Sequence, residues 1–120
     1  MPPRIEKFKF GSITIDGNTY TSDVIIRPNG EVKKRKKKLS KAIYGTSHTI
    51  SLEEAKHVFK KSAKTLVIGG GQFGRVKLSA EAEDYFSQKG CEVTLLSTPK
   101  AIRVWNDIKE EAIGLFHITC

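Results

Sequence analysis

The sequence predicts an α/β fold: a three-layer single domain, with an N-terminal antiparallel β meander followed by βαβ-type units on a mixed central sheet. Three observations predict it. The first third of the chain is strand-like and interrupted by glycine turns. The remainder alternates capped helical segments with short apolar runs. At 120 residues, with 38% hydrophobic and 28% charged content, residues 1–120 suffice to bury one core as one domain.

The elements follow in order. Residues 8–15, from Phe8 to Ile15, alternate apolar and polar side chains and read as a strand. Asp16-Gly17 closes it as a hairpin turn. Tyr20 to Arg27, around Val24-Ile25-Ile26, is a second strand, and Pro28-Asn29-Gly30 a second turn. Glu31 to Lys38 reads as a third strand with a polar outer face. Ser51-Leu52-Glu53-Glu54 is a capping box, with Ser51 as N-cap and the Glu54 side chain reaching back. The helix it opens sets Leu52, Ala55, Val58 and Phe59 on one face. Thr65 to Ile68 is a strand. Ser79 caps the next helix, with Ala82, Tyr85 and Phe86 inward and Gly90 as its stop. Cys91 to Leu96 is a strand parallel to 65–68 through a right-handed crossover. Thr98-Pro99 is an N-cap followed by proline, and Ala101, Trp105, Ile108 and Ala112 recur at helical spacing. Ile113 to Thr119 closes the chain as a strand. Were it an antiparallel neighbour of 91–96, Cys91 and Cys120 would lie close enough for a bridge.

Charge narrows the function classes. The net charge is +8, and Lys33, Lys34, Arg35, Lys36, Lys37 and Lys38 contribute six positive charges in one run. The rest of the chain is nearly balanced. Such a run suits a solvated edge strand, which lysine protects from pairing with other chains. It also suits contact with nucleic-acid phosphates, although no aromatic interleaving or nucleic-acid motif accompanies it. The two cysteines form no C-x-x-C pair, so no structural metal and no cofactor is expected. No apolar run reaches the length of a membrane span, and no signal-peptide pattern opens the chain; the expected compartment is cytoplasmic, with reduced thiols.

Residues 69–74, Gly-Gly-Gly-Gln-Phe-Gly, match G-x-G-x-x-G after an apolar run. In dinucleotide-binding folds that turn opens directly into a helix. Here Arg75-Val76-Lys77-Leu78 intervene, so a true Rossmann fold is not expected. Topology says more. A crossover helix starts at the edge where the parallel strands end. Gly45, Thr46, Ser47 and His48, the loop residues Gly69, Gly70, Gly71, Gln72, Gly74 and Arg75, and the Thr98 helix with Arg103 should therefore share one rim. Open α/β sheets bind ligands there. Helix N-termini and glycine backbones suit an anion, and Arg75, Lys77, Lys100 and Arg103 could supply charge. A plain structural turn is the competing reading. His48 is the candidate for chemistry, as general base or anion ligand; its alternative role is to fix the turn through backbone hydrogen bonds. His57 belongs on a solvated helix face, His117 points away from Phe116 and Ile118, and Asn106 reads as polar glue.

Several short patterns recur in a fixed order: Phe10-Gly11-Ser12-Ile13 with Asp16-Gly17, Gly45-Thr46-x-His48, Leu66-Val67-Ile68-Gly69-x-Gly71, Thr98 with Ala101 and Asn106, and Phe116-His117-x-Thr119-Cys120. In this the chain resembles the adipogenesis-associated Mth-type domain family over nearly its whole length. A mitochondrial complex I assembly factor is a more distant relative, and the lysine run looks archaeal or bacterial. The resemblance implies a compact three-layer α/β domain without assigned catalysis, working as an interaction module. The expected function is thus a non-enzymatic binding or assembly module, contacting an unknown protein or small anion through the rim. Two alternatives stand: an enzyme acting on a small anionic substrate with His48 as acid or base, and nucleic-acid binding through Lys33–Lys38.

Overall fold

A computed structural model describes residues 2–120. The chain begins with an antiparallel meander of β1 (Ile5–Lys9), β2 (Ser12–Ile15) and β3 (Asn18–Tyr20). The strand expected over 8–15 is therefore two strands. The chain reverses at Phe10-Gly11, where Lys9 faces Ser12 and Gly11 takes φ +90°. The apolar alternation changes phase at this turn, from Phe8 and Phe10 to Ile13 and Ile15, a break that marks the reversal. Asp16-Gly17 turns as expected, with positive φ at both residues (46° and 82°), as a type I′ hairpin requires.

The central sheet has five strands in the order β5-β4-β10-β7-β9. These are β4 (Val24–Ile26), β5 (Val32–Lys34), β7 (Thr65–Gly70), β9 (Glu92–Leu96) and β10 (Ile113–His117). β7 is parallel to β9 and β10, while β4 is antiparallel to β10 and β5, so the sheet is mixed. A short parallel pair, β6 (Thr49–Ile50) with β8 (Lys77–Leu78), occupies the stretch between the glycine loop and the next helix. That pairing is the reason the loop does not open into a helix.

Four helices complete the fold among the described residues: α1 (Lys38–Tyr44), α2 (Leu52–Val58), α3 (Ala80–Gln88) and α4 (Thr98–Asp107). α1 was not expected. It begins without a side-chain cap inside the lysine run, where the strand predicted over 31–38 was to continue, and ends at a left-handed Gly45. Ser51 and Ser79 cap α2 and α3 through their hydroxyls, each accepting from an N–H three residues on at 3.1 Å. The second half of the expected capping box is made differently. The Ser51 N–H donates to the Ser40 hydroxyl at 2.9 Å, which leaves the Glu54 carboxylate for other work. α4 has Ser97 as its cap, one residue earlier than expected, and ends before Ala112 because Ile108 is extended.

Both faces of the sheet are covered, so its inner strands are apolar throughout. Leu66, Ile68, Ile113 and Leu115 meet Ala55 and Val58 of α2 and Ala82 and Phe86 of α3. On the other face Val67, Val24, Ile26 and Phe116 meet Ile13 and Ile15 of the meander and Ala101 and Trp105 of α4. Trp105 and Phe116 stack edge to face, with centroids 5.9 Å apart, a geometry worth about 1 kcal/mol beyond area burial. Asn106 is the expected glue: it accepts from the Ile5 N–H and donates to the Ile5 carbonyl, both at 2.9 Å, and so ties β1 to α4. The conditional Cys91–Cys120 bridge does not form. β9 and β10 run parallel on either side of β7, which places Cys91 before a strand's start and Cys120 beyond a strand's end; both are free thiols.

Candidate functional site

β7, β9 and β10 all end at one edge of the sheet, at Gly70, Leu96 and His117. The antiparallel β4 starts there, so Asp23 lies at the same edge. β5 ends there, so Arg35 does too. The chain therefore delivers an acid, an arginine and a histidine to the carboxyl edge from segments far apart in sequence.

These side chains form a buried network. Arg35 has a side chain with no exposed surface, despite its place in the lysine run. Its Nε and Nη2 donate to both oxygens of Glu54 at 2.6 and 3.0 Å, Nη1 donates to Asp23 Oδ2 at 2.9 Å, and Nη2 also donates to the Ser47 carbonyl at 2.7 Å. The expectation that residues 33–38 form one solvated basic patch is thus corrected at Arg35. Guanidinium is the side chain with a planar fork able to satisfy two carboxylates at once. Ser40 donates to Glu54 Oε1 at 2.5 Å, so the unexpected helix α1 is also tied into the network.

Asp23 is the second hub. Its Oδ1 accepts the Ile118 N–H at 3.0 Å, and Oδ2 accepts from His117 Nδ1 at 2.6 Å. Burial alone would raise the Asp23 pKa. The hydrogen bonds from His117 and Ile118, with the charges of His117 and Arg35, outweigh burial and hold it at about 2. With Nδ1 donating to the carboxylate, His117 Nε2 faces the Thr119 hydroxyl at 3.2 Å. His117 itself is buried.

The three rim segments predicted from topology do meet, but they spend much of their polarity on each other. Thr98 N–H donates to the Gly71 carbonyl and the Gly71 N–H donates to Thr98 Oγ1, both at 2.9 Å. Thr98 Oγ1 then donates to the His117 carbonyl at 2.6 Å. Thr98 has no exposed surface, so it staples the rim instead of contacting a ligand. Gly69 and Gly70 are buried inside β7, and a side chain at Gly69 would meet Phe116 and Thr98 at under 3 Å. Gly71 has φ +95°, and a side chain there would strike the His117 ring and two carbonyls of the C-terminal segment. Close packing accounts for Gly69, and close packing with a positive φ for Gly71. Gln72, Gly74 and Arg75 are exposed on the turn, and Arg103 is exposed more than one turn into α4.

Gly45 to Ser47 form the turn between α1 and β6. The Thr46 hydroxyl accepts the His48 N–H at 3.1 Å, and the His48 carbonyl accepts the Lys77 N–H at 2.8 Å. The His48 ring stays free of hydrogen bonds to the described residues and stands edge-on to His117, centroids 5.4 Å apart. Partial burial lowers its pKa, and the electrostatic influence of His117, Arg75, Arg35 and Lys37 lowers it further.

Beside this edge opens a concavity of about 650 Å³, lined by Thr21, Ser22, Asp23, Lys34, Arg35, Lys36, Lys37 and Lys38. Lys33 pairs with Glu31 at 3.6 Å and lies outside it, and Lys37 reaches Asp23 at 3.5 Å. Among the described residues, Lys34, Lys36 and Lys38 have no ion-pair partner. Arg35 and Lys37 together balance the charges of Asp23 and Glu54, so the field of Lys34, Lys36 and Lys38 is left over.

Residues 5–114 match the family described as "Protein of unknown function (DUF498/DUF598)". The chain belongs to this DUF498/DUF598 family. Solved structures place its fold among Mth938-like domains. A conserved hypothetical protein, PH1505, from Pyrococcus horikoshii is 29% identical, with a TM-score of 0.91 over 98% of this chain and 99% of that one. The protein MT938 is 27% identical, with a TM-score of 0.82 over 98% and 99% of the two chains. A Mth938-like domain from Bordetella pertussis shares the fold at 13% identity, with a TM-score of 0.65 over 97% of this chain and 85% of that one. The Mth-type resemblance and the α/β architecture expected from sequence both hold.

In this DUF498/DUF598 member, Asp23, Glu54 and His117 were missed as members of the site. Weak signals were present in the sequence. Asp23 directly precedes a fully apolar strand, Arg35 is the one arginine among lysines, and His117 sits between two apolar residues. No described helix is long and apolar enough to cross a membrane.

Proposed function

We propose that this domain is a binding module that takes an anionic group of a partner at the carboxyl edge of its sheet. The supporting observation is the lysine-lined concavity beside the buried Asp23–Arg35–Glu54 network. Arg35 and Lys37 together balance the buried acids Asp23 and Glu54, and the Arg35 N–H donates to the Asp23 carbonyl at 2.9 Å, which fixes the backbone there. Lys34 and Lys36 on either side are thereby presented from a rigid base, and an anion gains their charge without ordering the backbone. Titrating the protein with tripolyphosphate while following backbone amide shifts tests this. The module reading requires the largest shifts at Thr21, Ser22 and 34–38; shifts confined to other parts of the surface, or none, would remove it.

A second reading is catalysis on a small anionic substrate, with His48 as acid or base. It is favoured by one observation: an imidazole free of hydrogen bonds to the described residues, edge-on to His117, with a pKa lowered by partial burial and surrounding charge. It requires turnover of a phosphate ester that His48→Gln abolishes while tripolyphosphate affinity is unchanged.

A further inference from the structure

Among the described residues, four large apolar side chains stand exposed: Phe10, Ile43, Tyr44 and Phe73, the two phenylalanines at 60% and 66%. The register of the meander locates Phe10. Lys9 faces Ser12 and Ile13 faces Tyr20, so the Phe10-Gly11 turn lies at the end from which the chain passes into Thr21 and Ser22. Those two residues form a wall of the lysine concavity. The Gly11 N–H donates to the Ile118 carbonyl at 2.7 Å, and the Ile118 N–H donates to Asp23 at 3.0 Å, which fixes the turn against the same edge. On the far side of Ile118, the Gln72 N–H donates to the Thr119 carbonyl at 2.9 Å, bringing the Phe73 turn to the rim. The fold thus brings two aromatic-bearing turns, absent from the lysine run in sequence, to the edge that holds the concavity.

We propose that the concavity and its flanking rings bind single-stranded nucleic acid, with Lys34, Lys36 and Lys38 on the phosphates and Phe10 stacking on a base. The inference rests on the anion-binding reading and names its ligand. Three considerations select it. A positively charged groove flanked by exposed aromatic rings is the arrangement that holds single strands without sequence readout. Base faces are open for stacking in a single strand and covered in a duplex. Lysine is depleted from the cores of protein interfaces, and the exposed apolar side chains here are split among three segments: the Phe10 turn, the end of α1 and the Phe73 turn. The Thr21 and Ser22 hydroxyls suit phosphate or sugar oxygens.

Fluorescence anisotropy with a labelled oligothymidylate, the same strand annealed to its complement, and tripolyphosphate as competitor tests the proposal. The single strand is expected to bind best, with affinity falling as salt rises. Replacing Lys34, Lys36 and Lys38 together by Gln should lower the slope of log K against log salt by about 2, from about 0.7 per phosphate contact on a single strand. Phe10→Ala should weaken the single strand about tenfold and leave both the slope and tripolyphosphate affinity unchanged. Equal or tighter binding of the duplex, or no effect of Phe10→Ala in a protein with an unaltered melting curve, overturns it. Tripolyphosphate binding without oligothymidylate binding sinks this inference and leaves the anion module standing; binding of neither at low salt removes both.

Discussion

Arg35 and the lysines around it come from one run of like charges, and the fold treats them in opposite ways. Arg35 is enclosed, with its side-chain hydrogen bonds made to Asp23, Glu54 and the Ser47 carbonyl. Lys34, Lys36 and Lys38 are exposed and unpaired among the described residues. The difference lies in shape as much as charge. A guanidinium fork can bridge two carboxylates and still donate to a carbonyl, whereas an ammonium is a strongly hydrated point charge. One cation therefore builds the edge, and its neighbours remain available at that edge for something outside the chain.

The sharpest way to break this contrast is to remove the buried cation. Arg35→Met leaves two buried carboxylates without their shared partner, and should cost about 3–5 kcal/mol of stability in urea denaturation. A loss no larger than that of a lysine variant would show that Arg35 is not the keystone. Arg35→Lys should recover part of the loss only, because the fork is gone.

Acid offers a milder probe of the same network. The Asp23 pKa falls from 3.8 unfolded to about 2 folded. A depressed carboxyl contributes stability that is present in full above the unfolded value and is lost as pH drops through the folded one. About 2 kcal/mol should thus disappear between pH 4 and pH 2, on the order of 1.4 kcal/mol per pKa unit. Unfolding measured across that range should fall less steeply in Asp23→Asn than in the parent; parallel curves would contradict the assignment.

Thr98 tests the rim's self-sufficiency. Thr98→Val strands the Gly71 N–H and the His117 carbonyl in a buried place, and should cost about 1–3 kcal/mol. If Thr98 were instead a ligand contact, the same substitution would reduce binding at little cost to the melting temperature. At the small end, Gln at Lys34, Lys36 or Lys38 should change stability by no more than about 0.5 kcal/mol, since each is a surface substitution.

The contrast also explains what was readable in the sequence. α2 and α3 were legible because each opens on a serine whose hydroxyl caps it. The carboxyl edge was legible as a place, because strand and helix directions fix where a crossover begins. Its occupants were not. Arg35 is 12 residues from Asp23 and 19 from Glu54, and His117 is 94 from Asp23. Pairings over such separations leave no local pattern, and lysine neighbours made Arg35 look solvated. α1 escaped notice because it starts without a cap and its apolar spacing, Leu39, Ala42 and Ile43, lasts only about one turn and stays largely exposed. The glycine loop, conspicuous as a motif, owes Gly69 and Gly71 to the packing of Thr98, Phe116 and His117.

The division of the edge's cations between structure and binding is tested most directly by one variant, with Lys34, Lys36 and Lys38 all replaced by Gln. Its melting temperature and its tripolyphosphate affinity should be measured on the same sample. The expected result is a melting temperature close to that of the parent and binding that is lost. Binding equal to the parent's, with the fold intact, would contradict it.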